Sequence, residues 1–345
     1  MDETDRAANW RARGRYFRWR PRDGDEVAVF HVESGHPDRP VLLLVHGFPT
    51  CSVDWFELVA LLDGRYRVCA LDFPGYGFSD KPVGWGYSLV RDAELLDYYV
   101  REVVGARSLA VLAHDRGSSV ALNYLLGTRP GGPPTSRATI THLVLTNANL
   151  FLPLSNLTAF QRQVLDGATA PALLGALTPE LLAAGMGAVT FSPPRPAEHP
   201  DVAALASTFA HDDGVRVLHE TIQYLVERAE NERDWLVRLA ASEVPTTVIW
   251  GLLDTVSPPR VAARVWDDYL ALKPGRNLFY LVPGANHYLQ VDQPARLAEA
   301  FLHAEGGGAE TPGPLDARDG APVLMDWSRA RLPHPTEVLR ADTPA

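Results

Sequence analysis

A mostly parallel, doubly wound α/β sheet with an inserted helical cap is the fold class that three features of the 345-residue sequence predict. Short runs of buried-strand character recur along the chain. Amphipathic helical stretches separate most of them. The alternation breaks once, over about 152–234, where no strand-like run occurs. With 46% hydrophobic and 21% charged residues, the chain has enough apolar side chains for a large core.

From about Gly14, YFRWR and then VAVFHVE alternate apolar and polar residues, as an antiparallel edge pair does. VLLLV at Val41–Val45 is apolar at every position, the pattern of a strand covered on both faces. VCALDF, SLAVLAH, HLVLTNA, TTVIWG and LFYLVPG repeat it, with helical stretches around Leu89–Val104 and Ser118–Leu126. The strand-free stretch is helical in composition, with Pro-rich SPPRPAEHP in its middle. The chain thus divides into a core of residues 1–151 and 235–305, a cap of residues 152–234, and a tail of residues 306–345. The tail, rich in Gly, Pro, Asp and Ala, is expected to be flexible, although VLMDW within it is apolar enough to dock. No internal repeat is present.

A net charge of -10 and a pI of 5.6 disfavour nucleic-acid binding, which needs a basic face, and fit a small neutral substrate. The sequence lacks the roughly 18 consecutive apolar residues of a membrane span. MDETDRAANWRARGRYF mixes acids and arginines without the apolar stretch of a secretory signal, so a cytoplasmic location is expected. Cys51 and Cys69 do not form a disulfide framework, and neither CxxC nor HExxH offers a zinc site, so no metal and no cofactor are expected.

Ser108–Ser119, SLAVLAHDRGSS, runs an apolar strand into Ala113-His114-Asp115-Arg116-Gly117 and then into a helix. Small residues two before and two after the apex are what a strained strand-to-helix turn requires, the pattern of a nucleophile elbow. An aspartate at the apex changes the chemistry from acyl transfer to displacement at carbon. A carboxylate is a modest nucleophile, so its substrate needs a strained ring or a good leaving group; epoxides and alkyl halides qualify. The bland alternative makes Asp115 a helix N-cap.

Asp254, in TTVIWGLLDTVSPP, follows a strand on a loop. His287, in LFYLVPGANHYLQVDQP, follows the last strand ahead of a helix beginning near Pro294. Loops at the carboxyl ends of strands are where such sheets build their sites, and the order nucleophile, acid, histidine suits a triad. Taken singly, Asp254 reads equally as a turn residue and His287 as a surface histidine. Within a triad, Asp254 orients His287, which deprotonates a water that attacks the alkylated Asp115. Backbone N–H groups of Arg116 and of Phe48, in His46-Gly47-Phe48-Pro49, are placed to stabilise the oxyanion. Pro49 suits a cis or sharply turned bond there. His46 is counted with the substrate-binding residues.

HGFPTCSVDW, DFPGYGFSDKP, HDRG, GLLD and GANH resemble the Asp-nucleophile branch of the α/β-hydrolase superfamily, which includes epoxide hydrolases and haloalkane and fluoroacetate dehalogenases. The resemblance covers about Phe30 to His303. With LTNANLF and HETIQYLVER, the pattern looks closest to the mesoderm-specific-transcript-like hydrolases, and it implies an α/β-hydrolase fold. Departures from the branch matter. Haloalkane dehalogenases carry a Trp where this chain has Arg116 and an Asn where it has Phe48; fluoroacetate dehalogenases carry an Arg where it has Ser119. Epoxide hydrolases place two cap tyrosines as donors. Tyr224 matches the second, while the first position falls near Phe160, leaving His219 or Gln223 as substitutes. Tyr224 can also be read as a core-facing helix residue.

Arg116 has two readings, a substrate-facing cation or a side chain salt-bridged under the cap. His114 is expected to pack behind the elbow, and Asp72 and Asp80 to shape the loop at the mouth of the site. LTNANL has no carboxylate where some relatives place the triad acid, which favours Asp254. The leading expectation is hydrolysis of a small, mostly apolar electrophile, most simply an epoxide to a diol, with water as co-substrate. The alternatives are dehalogenation of haloacids or haloalkanes, and a low-turnover ligand-binding or signalling protein. The Leu-, Ala- and Phe-rich cap predicts an apolar pocket under a lid. A homodimer is permitted but not indicated.

Overall fold

The computed structural model describes residues 5–127, 134–306 and 323–324. The strands are β1 (Arg15–Trp19), β2 (Val27–Ser34), β3 (Val41–Val45), β4 (Arg67–Leu71), β5 (Ser108–His114), β6 (Thr139–Thr146), β7 (Thr246–Gly251), β8 (Leu278–Val282) and β9 (Val323–Leu324). They form one sheet in the order β1-β2-β4-β3-β5-β6-β7-β8-β9. Pairing from β4 through β8 is parallel, whereas β1, β2 and β9 join antiparallel. This is the α/β-hydrolase fold expected from the sequence, and every strand-like run read there forms a strand. Leu42–Leu44 and Leu109–Ala113 are nearly without solvent exposure, because helices cover both faces of a parallel sheet.

The helices of the first half are α1 (Arg6–Arg13), α2 (Phe56–Leu62), α3 (Leu89–Tyr98) and α4 (Arg116–Leu126). Ser88 caps α3 by accepting the Arg91 N–H. Between β6 and β7 lie α5 (Ala159–Leu165), α6 (Ala170–Ala176), α7 (Pro179–Val189), α8 (Pro200–Ala210), α9 (Leu218–Thr221) and α10 (Tyr224–Ala241), and we refer to this insertion as the cap. Thr158 and Gln161 form a capping box that starts α5. The remainder is α11 (Pro259–Val265), α12 (Leu289–Asp292) and α13 (Pro294–Ala304).

Two differences from the sequence reading stand out. The boundary at residue 234 falls inside α10, which continues unbroken to Ala241 because Trp235, Leu236 and Leu239 keep burying the same helix face. The N-terminal segment, read only for its acids and arginines and given no element, forms α1: Asp5 accepts the Ala8 N–H as its cap, and Trp10 is wholly buried. In the tail, Val323 and Leu324 pair with Leu281 and Tyr280 at the edge of β8. The rest of VLMDW, and the expectation of tail flexibility, lie outside the described residues. Cys51 and Cys69 are separate buried thiols. Among the described residues no single helix is long and apolar enough to cross a membrane; α6 and α7 meet that composition only as a pair bent by 100°.

Candidate active site

Asp115 sits at the turn from β5 into α4 with φ 47° and ψ −118°, a conformation costly for a residue with a side chain. The small neighbours are sterically required. A Cβ on Gly117 would stand 2.5 Å from the backbone oxygens of Val45 and His46, and one on Gly47 would stand 2.7 Å from Asp115 Cβ. The expected helix-cap alternative does not hold, since the Asp115 side chain makes no cap hydrogen bond. Its Oδ2 instead accepts the Phe48 N–H at 3.0 Å, beside a Phe48–Pro49 peptide bond that is cis. The Arg116 N–H opens α4 and so has no partner within the helix. Asp115 Oδ1 is buried without a hydrogen-bond partner and lies 3.9 Å from His287 Nε2.

The other ring nitrogen of His287, Nδ1, faces Asp254 Oδ1 and Oδ2 at 3.2 and 3.1 Å. Asp254 is held from three sides: Oδ1 accepts the N–H groups of Val256 and Ser257, both at 2.8 Å, and Oδ2 accepts Asn147 Nδ2 at 2.7 Å. Burial opposes charge on His287, but the Asp254 and Asp115 carboxylates outweigh it and raise the imidazole pKa. Asp115, His287 and Asp254 are therefore brought together in the order and contacts that the spacing implies. The arrangement can present a free carboxylate oxygen to an electrophile and an oriented imidazole to a water.

A cavity of about 310 Å³ adjoins this group, walled mainly by apolar side chains, among them Phe48, Phe160, Leu177, Leu182, Met186 and Val256, with His287, Thr158, Gln161 and Thr190 as polar members. Asp115 and Tyr224 do not line it. Tyr224, the first residue of α10, is buried with its hydroxyl unpartnered, its ring 5.8 Å from Phe48. The Arg116 and Arg228 guanidinium groups lie 5.5 and 5.6 Å from that ring. Burial, and then the charge of Asp115, push its pKa well up.

Several readings need correction. His46 does not line the cavity: its ring is buried, Nε2 accepts the Phe73 N–H at 3.1 Å and Nδ1 bonds the Gly47 carbonyl at 2.9 Å, so it pins two loops together. Burial depresses its pKa to about 3, which keeps it neutral. Of the two readings of Arg116, the structure takes the salt bridge, to buried Asp92 on α3. His219 and Gln223 are not free donors; both bond carbonyls of the α5 end, Val164 and Leu165, and Phe160 lines the cavity without a hydroxyl. His114 packs against the His287 and Tyr288 rings, as expected. Asp72 accepts the Ser52 and Phe78 N–H groups and Asp80 the Ala28 N–H, so both are loop braces.

Sequence reasoning missed four contributors. Asn147, noticed only for lacking a carboxylate, has φ 44° and also accepts the Gly251 N–H. Asn286 precedes the histidine and bonds both strand loops. Tyr288 donates its hydroxyl to the Phe48 carbonyl at 3.2 Å. Asp54, bonded by the Thr50 hydroxyl, is pushed up to about 8 by burial, and its charge bears on His287. LTNANLF, LFYLVPGANHYLQVDQP and HGFPTCSVDW carry these residues, but nothing local signals their partners.

Comparison with known proteins agrees with this architecture. Residues 40–294 match the model of the alpha/beta hydrolase fold family. LipZ of Mycobacterium tuberculosis is 32% identical over 293 residues, spanning 85% of this chain and 96% of its own. The mesoderm-specific transcript homolog protein of Homo sapiens is 28% identical over 313 residues, 85% of this chain and 86% of its own. A loop variant of the haloalkane dehalogenase DbeA from Bradyrhizobium elkanii superimposes with a TM-score of 0.66 at 19% identity, covering 85% of this chain and 97% of that one. By its sheet, its elbow and these matches, the chain belongs to the α/β-hydrolase fold family.

Proposed function

We propose that this hydrolase works through an alkyl-enzyme ester on Asp115, and that its substrate is a small, mostly apolar epoxide opened to a diol. The observation that carries the reading is the state of the Asp115 carboxylate. One oxygen is anchored by the Phe48 N–H, while the other is unpartnered and faces His287. In the first step Oδ1 attacks an epoxide carbon, the C–O bond breaks, and the ring oxygen takes a proton from Tyr224, whose buried hydroxyl has no other partner. In the second step His287 takes a proton from water, the hydroxide adds to the ester carbonyl, and the oxyanion is held by the Phe48 and Arg116 N–H groups. Collapse expels the diol oxygen, which takes the proton held by His287, and the proton left on the new Asp115 carboxyl returns to the Tyr224 phenolate, restoring carboxylate and phenol.

Charge favours this order. Esterification removes the Asp115 charge that helps to raise the His287 pKa, so the imidazole is more readily neutral when it must act as a base. The engagement of Arg116 with Asp92 counts against a free carboxylate clamp, and so against haloacids. The apolar cavity suits an uncharged substrate.

The test is intact-mass spectrometry of His287→Gln after exposure to separate pools of epoxides, haloalkanes and haloacids, with Asp115→Asn as control. The expected result is a stable adduct of a whole epoxide, absent from the control. An adduct without halogen from a halide pool moves the substrate to alkyl halides, and the absence of any adduct rejects the covalent mechanism for these classes.

A further inference from the structure

Asn286 lies where three parts of the molecule meet. Its Oδ1 accepts the N–H of His287 at 2.8 Å and the N–H of Thr255, next to Asp254, at 3.0 Å. Its Nδ2 donates to the cap carbonyls of Val189 at 2.9 Å and Phe191 at 3.3 Å. Val189 also accepts the Thr255 hydroxyl at 3.1 Å and lines the cavity. One buried amide therefore joins the histidine loop, the Asp254 loop and the cap end beside the cavity.

A second tether runs parallel to the first. Asp292 Oδ2 accepts the N–H of Asn286 at 2.8 Å and that of Ser192 at 3.0 Å, and Arg195 of the same cap segment bonds Asp292 Oδ1 at 3.3 Å. Room is tight around the junction: a Cβ on Gly251 would stand 2.4 Å from the Asn286 carbonyl oxygen. The Asn286 backbone oxygen also receives Asn147 Nδ2 at 3.3 Å, the amide that holds Asp254. Movement of cap residues 189–192 thus reaches the His287–Asp254 pair through buried hydrogen bonds, whose loss leaves polar groups unsatisfied.

We propose that Asn286 is a positioning residue that couples the seating of the cap segment Val189–Phe191 to the alignment of His287 and Asp254. The inference rests on the reading of His287 as the base of the second step. It assigns Asn286 an effect on ester hydrolysis and none on the attack by Asp115, with which it shares no hydrogen bond.

Three enzymes are compared by rapid-quench single turnover with an epoxide that labels the wild type: wild type, Asn286→Ala and Asn286→Asp. The alanine loses every side-chain bond; the aspartate keeps acceptors for His287 and Thr255 but loses the donors to the cap. Misplacing a catalytic group by about 1 Å costs on the order of 10- to 100-fold. Decay of the alkyl-enzyme is expected to slow on that scale in Asn286→Ala and to a lesser extent in Asn286→Asp, with formation of the adduct within about 2-fold of wild type. The raised imidazole pKa of His287, followed by NMR titration, is expected to fall toward its ordinary value in Asn286→Ala, whereas the carboxylate introduced by Asn286→Asp holds it up. Equal loss in both steps together with a lowered Tm, or unchanged decay with an unchanged His287 titration, overturns the proposal. If the wild type forms no adduct, the covalent reading fails while the NMR titration still decides the coupling.

Discussion

A buried carboxyl group has consequences for stability, and Asp54, near the His287 imidazole, illustrates them. Its folded-state pKa of about 8 exceeds the ordinary value of 3.8, chiefly through burial. The folded protein therefore holds a proton that the unfolded chain releases at lower pH. Folding stability should fall as pH rises from about 4 through 8, and the whole cost should apply above 8. Asn at this position keeps an acceptor for the Thr50 hydroxyl without the charge. Asp54→Asn is expected to raise stability, with a gain of about a few kcal/mol that grows with pH to its maximum above pH 8. Urea titrations at several pH values check this, and a gain independent of pH contradicts it. The role of Asp54 was hidden in HGFPTCSVDW because a carboxyl's burial is set by distant neighbours. Asp115, by contrast, was legible from its small flanking residues, since local sterics alone demand them.

Among the elements, strands were read with little error because a parallel sheet covered on both faces leaves an unmistakable apolar run, as in Val41–Val45. Helix α1 was not. It carries three arginines in eight residues and buries only Ala7 and Trp10, so no apolar stripe announces it. Its anchor is tertiary: Trp10 Nε1 donates to Ser52 Oγ at 2.9 Å, and Arg6 reaches Glu57 on α2 and Asp201 on α8 at 2.8 and 2.9 Å. Helix α1 thereby ties the cap to the core, and its Asp201 partner also pairs with Arg195, the cap arginine that reaches Asp292. Trp10→Ala removes a wholly buried indole and should cost about 3–5 kcal/mol. Arg6→Ala, removing partly exposed ion pairs, should cost about 1 kcal/mol. Denaturant midpoints compared at constant m-value check the contrast, and equal effects would mean that α1 is held by charge rather than packing. The cap's helical character was legible, but its end at Ala241 was not, because a continuous helix face leaves no punctuation at residue 234.

At the scale of the whole molecule, the sequence displayed the sheet, the insertion and three residues that the fold brings together, Asp115, His287 and Asp254, yet not the wiring between them. Asn147 and Asn286 bond residues 97 to 107 positions away, and a side-chain amide gives no sign of which partner it will meet. The same holds for Arg116, whose partner Asp92 lies on another helix. The edge of the sheet adds one more long-range element, because β9 extends it beyond β8 with residues from a Gly- and Pro-rich tail. These connections set an apolar cavity, an anchored carboxylate and an oriented imidazole side by side, and together they support the two-step chemistry proposed above. The most direct test is a single turnover of wild-type enzyme, in excess over an epoxide substrate, in water enriched in heavy oxygen. If Asp115 attacks carbon, the first diol carries the unlabelled Asp115 oxygen and the label appears in the peptide containing Asp115. Label in the diol with none in the protein would mean that water attacks the substrate directly, and would contradict the account.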